Sequence, residues 1–258
     1  MSQRVADDRS VATPTALPNL VIIGAMKCGT TALHRALSQH PQIAMSTPKE
    51  LNFFFGPRHA DPVDPPRWVE GNRWRGVAWY AGQLPAGATV RGEASPGYTS
   101  PDHPGVAERM AETIPDARLL YLVRDPIDRA LSQYRHHVRE GTEDRPVADA
   151  LTDPASQYIS RSRYHERLEP FLERFPRGQI LIVAQEDLRA HRGATLRRVA
   201  AFVGADPALW PSLGPRPSPL TMRAPLGSAL HAALAAALRD DTTRLRRISR
   251  HPLPAWNV

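Results

Sequence analysis

The chain has 258 residues, of which 41% are hydrophobic and 23% are charged, as is typical of one soluble globular domain with a substantial core. No stretch approaches the roughly 18 consecutive apolar residues of a membrane span, and the start of the chain lacks the apolar centre of a signal peptide. A single cysteine excludes an internal disulfide and a cysteine-based metal cluster. We therefore expect a cytoplasmic protein that does not bind membranes and uses no metal.

The net charge of +7 favours anionic partners such as a nucleotide, an acidic glycan or nucleic acid. Lysine is rare in this chain: Lys27 and Lys49 are the only two, so 31 of the 33 basic residues are arginine. A lysine ammonium is compact and mobile in a way that a guanidinium is not. The positions of the two lysines, one in a glycine-containing turn and one beside Glu50, therefore mark both as candidate site residues.

Strand-length apolar runs alternate along the chain with stretches of helical periodicity. Residues 1–17 are polar and predict a flexible N-terminal tail, and residues 18–258 predict a single domain. Strands are expected at 20–23, 42–45, 117–123 and 179–183, with a strand end in 91–98, and helices at 31–39, 77–83, 106–113, 127–139, 157–175, 194–203, 226–239 and 242–250. The alternation predicts an α/β fold with a P-loop-like central, largely parallel sheet flanked by helices.

The first strand passes through a small-residue turn into the first helix. Gly24 ends the strand, and the turn carries Lys27 and Gly29. Such a turn aims backbone N–H groups and the positive end of the helix dipole at one point, which suits a phosphate. An ordinary strand–turn–helix with an incidental lysine is the alternative.

The spacing of Gly24 and Gly29 invites comparison with the nucleoside-triphosphate loop G-x-x-x-x-G-K-[ST]. Thr30 stands where that loop has its lysine, and the only nearby lysine, Lys27, lies inside the turn. No hydrophobic strand ends in an aspartate suited to magnesium. The turn therefore predicts a site for a 5′-phosphate without a magnesium-bound triphosphate.

A second candidate site follows the strand at 117–123. Arg124 lies at the tip of that strand, and Ser132 lies two turns into the helix that follows. Since ligands bind at the carboxyl ends of parallel strands, both side chains could hold one anion near Lys27. The alternative is that Arg124 only pairs with Asp125 or Asp128.

Two carboxylates are candidate site residues. Glu50 follows Lys49 and precedes three phenylalanines that would anchor the loop, so it is a candidate general base. Glu93 lies where a strand end enters a turn, and is either a site residue or a capping carboxylate.

With these residues in place, the chain resembles a known family, the sulfotransferases that use 3′-phosphoadenosine-5′-phosphosulfate (PAPS). Residues 27–33 resemble their 5′-phosphosulfate loop, and residues 122–126 with Ser132 and Tyr134 resemble their 3′-phosphate motif. Within this family the chain is similar to the heparan sulfate and related carbohydrate branch. The landmarks of that branch are matched at residues 49–54, 79–80, 93–98, 161–164, 175–176 and 186–188. These motifs follow one another in the family's order and cover roughly residues 19 to 205. The chain lacks the membrane anchor of the animal enzymes, so we expect a soluble bacterial form.

The resemblance implies roles for individual residues. Glu50 and Lys27 would be catalytic, and PAPS would be the donor, with no metal. The nucleotide would be held by Lys27, Cys28, Gly29, Thr30, Thr31, Arg124, Ser132, Tyr164 and Arg223. A carbohydrate or hydroxylated small-molecule acceptor would be contacted by Lys49, Asn52, Trp79, Glu93 and Ser95. The branch often has a lysine where this chain has Ala94, so acceptor binding is expected to differ.

Two other classes stay open at the level of sequence. A nucleotide or small-molecule kinase on the same fold would need ATP and magnesium, and the missing lysine and aspartate argue against it. A basic nucleic-acid-binding protein would be expected to cluster its arginines, which here are scattered along the chain.

Overall fold

The fold is a five-stranded sheet with helices around it, seen in a computed structural model that describes residues 17–55, 71–153, 156–210 and 226–258. The strands are β1 (Leu20–Gly24), β2 (Ile43–Met45), β3 (Val90–Ala94), β4 (Arg118–Val123) and β5 (Ile180–Ala184). Their order across the sheet is β2-β3-β1-β4-β5, and every neighbouring pair is parallel. The predicted α/β class and largely parallel sheet are confirmed.

Helices connect the strands and close the domain. They are α1 (Thr30–Leu37), α2 (Gly76–Gly82), α3 (Val106–Thr113), α4 (Pro126–Glu140), α5 (Val147–Thr152), α6 (Gln157–Ser160), α7 (Tyr164–Arg174), α8 (Gln185–Ala190), α9 (Arg192–Val203) and α10 (Ser228–Ile248). Within the described ranges, no helix is long and apolar enough to cross a membrane.

The central strand β1 and the edge strand β5 are buried at every residue, and β4 is buried after Arg118. Strands covered by helices on both faces are expected to be continuously apolar, which is why these runs stood out in the sequence. The register pairs Ile22 of β1 with Ala94 of β3 on one side and with Leu120 of β4 on the other. The carboxyl ends of β3, β1 and β4 therefore lie side by side at one edge.

Two helical predictions need correction, and the short helices α5 and α8 were not expected. The two helices expected at 226–239 and 242–250 are one helix, α10, since no glycine or proline interrupts Arg239 to Thr242. The stretch 157–175 is two helices, α6 and α7, separated at 161–163, where the Ser162 hydroxyl bonds back to the Tyr158 carbonyl at 2.9 Å. Helix α5 was not expected, because its six residues are too few to show a period.

Candidate active site

The turn between β1 and α1 has the geometry of an anion site. The Ala25 N–H donates to the Leu122 carbonyl at 2.7 Å, which fixes the turn on β4. The first bonds of α1 come from Ala32 and Leu33, both to the Gly29 carbonyl, at 3.0 and 3.1 Å. The helix therefore does not use the N–H groups of Thr30 and Thr31, and these donors suit a phosphate.

Glycine is required at position 29. Its φ is +91°, in the left-handed region, and a Cβ there would lie 2.8 Å from Nε2 of Gln185. Lys27 also has a positive φ, +68°, which is uncommon for a residue with a side chain. The backbone of the turn is thus held in a specific, strained shape, as is common at binding sites.

The Lys27 ammonium lies in a positively charged surrounding. Its pKa is lowered, first by burial and then by Arg139, with smaller contributions from Arg129 and Arg124, while Glu140 acts in the opposite direction. A bound anion would relieve this repulsion. Lys27 therefore lies between the tip of β4 and the C-terminal end of α4, where an anion is electrostatically favoured.

Arg124 joins the tips of β1 and β4. Its side chain is 5% exposed, and its Nη1 donates to the Lys27 carbonyl at 3.2 Å. Its Nη2 donates to Oδ2 of Asp128 at 3.0 Å, so the predicted pairing with Asp128 is present as well. Of the five N–H donors of a guanidinium, these contacts use two. Arg124 therefore lies against the Lys27 turn, and Ser132 lies half-buried in α4.

Tyr164 and the Cys28 side chain are both fully buried. The Tyr164 hydroxyl lies 3.3 Å from Cys28 Sγ and accepts from the Arg124 N–H at 3.4 Å. Burial raises the pKa of the Cys28 thiol to about 11. Both side chains thus support the turn from beneath, and direct contact with a nucleotide, predicted for Tyr164, would require this packing to open.

Glu50 lies on a strained loop at the tip of β3. Its φ is +67° and that of Asn52 is +49°. The Glu50 N–H donates to the Ala94 carbonyl at 3.0 Å, and the Asn52 N–H donates to Ser95 Oγ at 3.0 Å. The Glu50 side chain is 51% exposed and forms an ion pair with Lys49. Its carboxylate is thus open to solvent, not enclosed beside the phenylalanines.

Glu93 is the centre of a buried network beneath that loop. It has no exposed surface, and its Oε1 accepts from the hydroxyls of Tyr80 and Tyr98, each at 2.7 Å. Its Oε2 accepts from Ser95 Oγ at 2.7 Å, and Ser95 is equally buried. Burial raises the pKa of Glu93, and the three hydrogen bonds act against that increase. These side chains hold the loop, and the acceptor contact predicted for Glu93 and Ser95 finds no support in this arrangement.

Trp79 packs into the same region. Its ring stacks on Phe53 with centroids 6.4 Å apart, and the Arg75 guanidinium lies 4.4 Å from its centroid. Acceptor contact by Trp79 stays a prediction. Arg223 lies outside the described residues, as do residues 1–16 of the predicted tail.

The turn with Lys27, the strand tip with Arg124 and the loop with Glu50 thus lie at neighbouring strand ends, although 97 positions separate Lys27 from Arg124 and 44 separate Glu50 from Ala94. The β1 turn, the β4 tip and the loop bonded to the end of β3 lie on three adjacent strands, which are spaced about 5 Å apart in a sheet. Among the described residues, no group of three His, Cys, Asp or Glu side chains is placed to hold a metal ion.

Sequence reasoning missed Arg129 as a support of the site and gave Arg161, within the landmark 161–164, no role. Arg129 is fully buried and donates to Ser162 Oγ at 2.6 Å and to Gln133 Oε1 and the Tyr158 carbonyl, both at 2.7 Å. Arg161 forms an ion pair with Asp102. Its Nη1 lies 3.3 Å from Sδ of Met26, the residue that directly precedes Lys27. An arginine in a charged helix resembles a solvent-exposed residue, so the sequence carries no signal for the burial of Arg129.

Solved structures resemble the whole fold. A sulfotransferase from Alicyclobacillus acidocaldarius matches with a TM-score of 0.78 and 30% identity, over 94% of this chain and 100% of that one. A sulfotransferase domain from the curacin biosynthetic pathway matches with a TM-score of 0.59 and 15% identity, over 93% and 99%, which bears on the fold alone.

Curated relatives align over part of their length. A bifunctional heparan sulfate N-deacetylase/N-sulfotransferase 2 from Bos taurus is 29% identical over 213 residues, which are 75% of this chain and 22% of that protein. A heparan sulfate glucosamine 3-O-sulfotransferase 3B1 from Mus musculus is 32% identical over 202 residues, 73% of this chain and 46% of that protein. This chain thus matches less than half the length of either relative.

The model of the sulfotransferase family matches residues 18–210, three quarters of the chain. The chain therefore belongs to the sulfotransferase family.

Proposed function

We propose that the protein transfers a sulfuryl group from PAPS to a hydroxyl or amine of a carbohydrate or hydroxylated small molecule. The observation that carries the proposal is the contact between Arg124 Nη1 and the Lys27 carbonyl at 3.2 Å. It brings the guanidinium at the tip of β4 to the phosphate-type turn after β1. Two adjacent anion positions suit a nucleotide that carries phosphates at both the 5′ and the 3′ carbons.

The donor would lie along the edge of the sheet. The N–H groups of Thr30 and Thr31, with Gly29, would hold its 5′-phosphate at the N-terminus of α1. Arg124 would hold the 3′-phosphate through charge-assisted hydrogen bonds, with Ser132 in α4 as a second donor. This division distinguishes PAPS from ATP, whose phosphates all lie on the 5′ side.

The transfer would be an in-line displacement at sulfur. The acceptor oxygen or nitrogen forms a bond to sulfur while the bond from sulfur to the bridging oxygen of the 5′-phosphate breaks. Glu50 takes the proton that the acceptor loses, and the electron pair leaves with the phosphate oxygen. Lys27 stabilises the charge that grows on that oxygen in the transition state. The half-exposed carboxylate of Glu50 is open to an acceptor once its pairing with Lys49 is exchanged.

The matched pair Glu50→Gln and Glu112→Gln tests this assignment. Glu112 is also a surface carboxylate in an ion pair, with Arg73 at 3.6 Å, but it lies on α3. A positioned base contributes ~10²–10⁴ in rate, so Glu50→Gln should lose turnover by that factor while calorimetric affinity for the desulfated nucleotide PAP stays within about twofold. Retained turnover would remove Glu50 from the mechanism. Absence of PAP binding by the unmodified protein would remove PAPS as the donor.

A reducing compartment such as the cytoplasm is proposed as the place of action. Cys28, the single cysteine, is a buried free thiol directly in the nucleotide turn. Its raised pKa, about 11, keeps it protonated at neutral pH and slows its oxidation.

A further inference from the structure

A polar cavity of about 460 Å³ lies beside the Lys27 turn. It is bounded by the C-terminal end of α4, the residues that follow it, the end of α5, and α6. Arg161, at its edge, contacts Met26, which directly precedes Lys27. The end of α4 also carries Arg139 and Glu140, the charges that act most on Lys27. The cavity thus adjoins the Lys27 turn through the contact between Arg161 and Met26.

Acidic side chains outnumber basic ones in this cavity. Its carboxylates are Asp102, Glu143 and Asp153, and its guanidinium groups are Arg145 and Arg161. Both arginines are engaged: Arg161 pairs with Asp102, and Arg145 pairs with Glu143 at 2.8 Å and with Asp153 at 2.9 Å.

The remaining lining groups are hydroxyls, an amide and His137. His137 lies 2.9 Å from the Tyr158 hydroxyl, and burial together with His136 lowers its pKa, so it adds no positive charge at neutral pH. Among the described residues the lining therefore sums to one negative charge, three carboxylates against two guanidinium groups.

From this composition we infer that the cavity is an acceptor subsite for an uncharged or amine-bearing polyhydroxylated compound, and that it rejects polyanionic glycans. The inference rests on the proposed sulfuryl transfer. A sulfate or carboxylate entering the cavity would meet three carboxylates and would have to displace one of them from an arginine. A carboxylate offers about four acceptor positions, so sugar hydroxyls and ammonium groups can donate to it while its arginine stays bound. The overall charge of +7 therefore does not predict the charge of the acceptor.

Three probe acceptors of similar size test the inference: a neutral maltotriose, the amine-bearing neamine, and a carboxylate-bearing heparosan oligosaccharide. Since like charges placed together disfavour binding, kcat/KM with PAPS should favour neamine or maltotriose over heparosan on the order of 100-fold. If no probe is turned over, binding of the same three probes to the PAP-loaded protein, measured by ligand-observed NMR, should give the same order. Preference for heparosan in either measurement would overturn the inference.

Asp153→Asn, directly after α5, locates the subsite, and Asp149→Asn, within α5, is its control. Asp153 lines the cavity, whereas Asp149 is exposed in the first turn of α5 and outside it. Asp153→Asn should reduce kcat/KM or affinity for neamine about tenfold relative to maltotriose, with unchanged KM for PAPS. Equal effects of the two substitutions would refute the location. Failure of the protein to bind PAP would instead refute the proposed function, and the probe-binding order measured on the unliganded protein would then test the cavity.

Discussion

Ser95→Ala should reduce turnover although Ser95 is buried beneath the proposed site. Its hydroxyl donates to Glu93 Oε2 at 2.7 Å and accepts from the Asn52 N–H at 3.0 Å. It is therefore the link between the buried carboxylate and the loop that presents Glu50. Alanine fits the space but removes both hydrogen bonds.

The size of the effect follows from the groups left without partners. A buried donor or acceptor that loses its partner costs ~1–3 kcal/mol, and here there are two, so the free energy of unfolding should fall by about 2–6 kcal/mol. Residues other than glycine require roughly 1–2 kcal/mol to adopt a left-handed φ, and both Glu50 and Asn52 do so. Without the bond to Asn52 the loop should leave this conformation for most of the time, and kcat should fall about tenfold.

The assay compares kcat, KM for PAPS, and PAP affinity with the free energy of unfolding from urea titrations. Tyr80→Phe is the matched control, since it removes another donor to Glu93, at 2.7 Å, but leaves the bond to Asn52 in place. It should lose stability and keep kcat. Ser95→Ala should lose both, with PAP affinity unchanged.

A double-mutant cycle separates positioning from general destabilisation. If Ser95 acts through Glu50, Ser95→Ala should add nothing to the loss already caused by Glu50→Gln. Additive losses in the double variant, or a normal kcat in Ser95→Ala, would refute the reasoning.

Further predictions concern the nucleotide turn, the 3′-phosphate and the effect of acid on stability. Gly29→Ala should weaken PAP binding about tenfold in calorimetry, because an alanine at the left-handed φ of +91° costs ~1–2 kcal/mol and its Cβ meets Gln185. An affinity equal to that of the wild-type protein would contradict the role of the turn. Arg124→Gln should reduce the affinity for PAP more than about tenfold and the affinity for adenosine 5′-phosphate little, since a charge-assisted hydrogen bond contributes ~1.5–3 kcal/mol. Equal losses of affinity for the two nucleotides would argue against a 3′-phosphate contact. Burial lowers the pKa of His103 from 6.5 to about 4, so the unfolded state binds the proton first and stability should decline as pH falls from 6.5 to 4. Urea midpoints of His103→Gln across that range should show a shallower decline, and an unchanged slope would assign the acid sensitivity to other groups.

Much of the architecture could be predicted because the signals were local. The apolar runs of β1, β4 and β5 are continuous since both faces of the sheet are covered, and helix α3 was predicted at the bounds the structure gives it. The break predicted between 239 and 242 was wrong, since no glycine or proline lies there to end the helix. The Asp241 carboxylate accepts from the N–H groups of His165 and Glu166 at 3.0 and 2.9 Å, and so caps α7 from the side of a continuous helix.

The candidate site divides in the same way. Lys27, Gly29 and Arg124 could be found from sequence, since a glycine-containing turn after a buried strand and an arginine at a strand tip are features of short segments. The burial of a polar side chain could not be predicted from such short segments. Glu93 and Tyr164 have the residue types of a binding site, yet both are fully buried and hold other groups in place.

The sequence by itself determined the order of strands and helices, the phosphate-type turn and the family, because each depends on residues close together in the chain. Tertiary structure decided which residues meet. Pairing of β3, β1 and β4 brings the Glu50 loop, Lys27 and Arg124 to one edge, and packing between helices sets the charge of the adjacent cavity. These properties arise from contacts between distant segments, and the free energy of such contacts depends on burial and geometry that residue order alone does not specify.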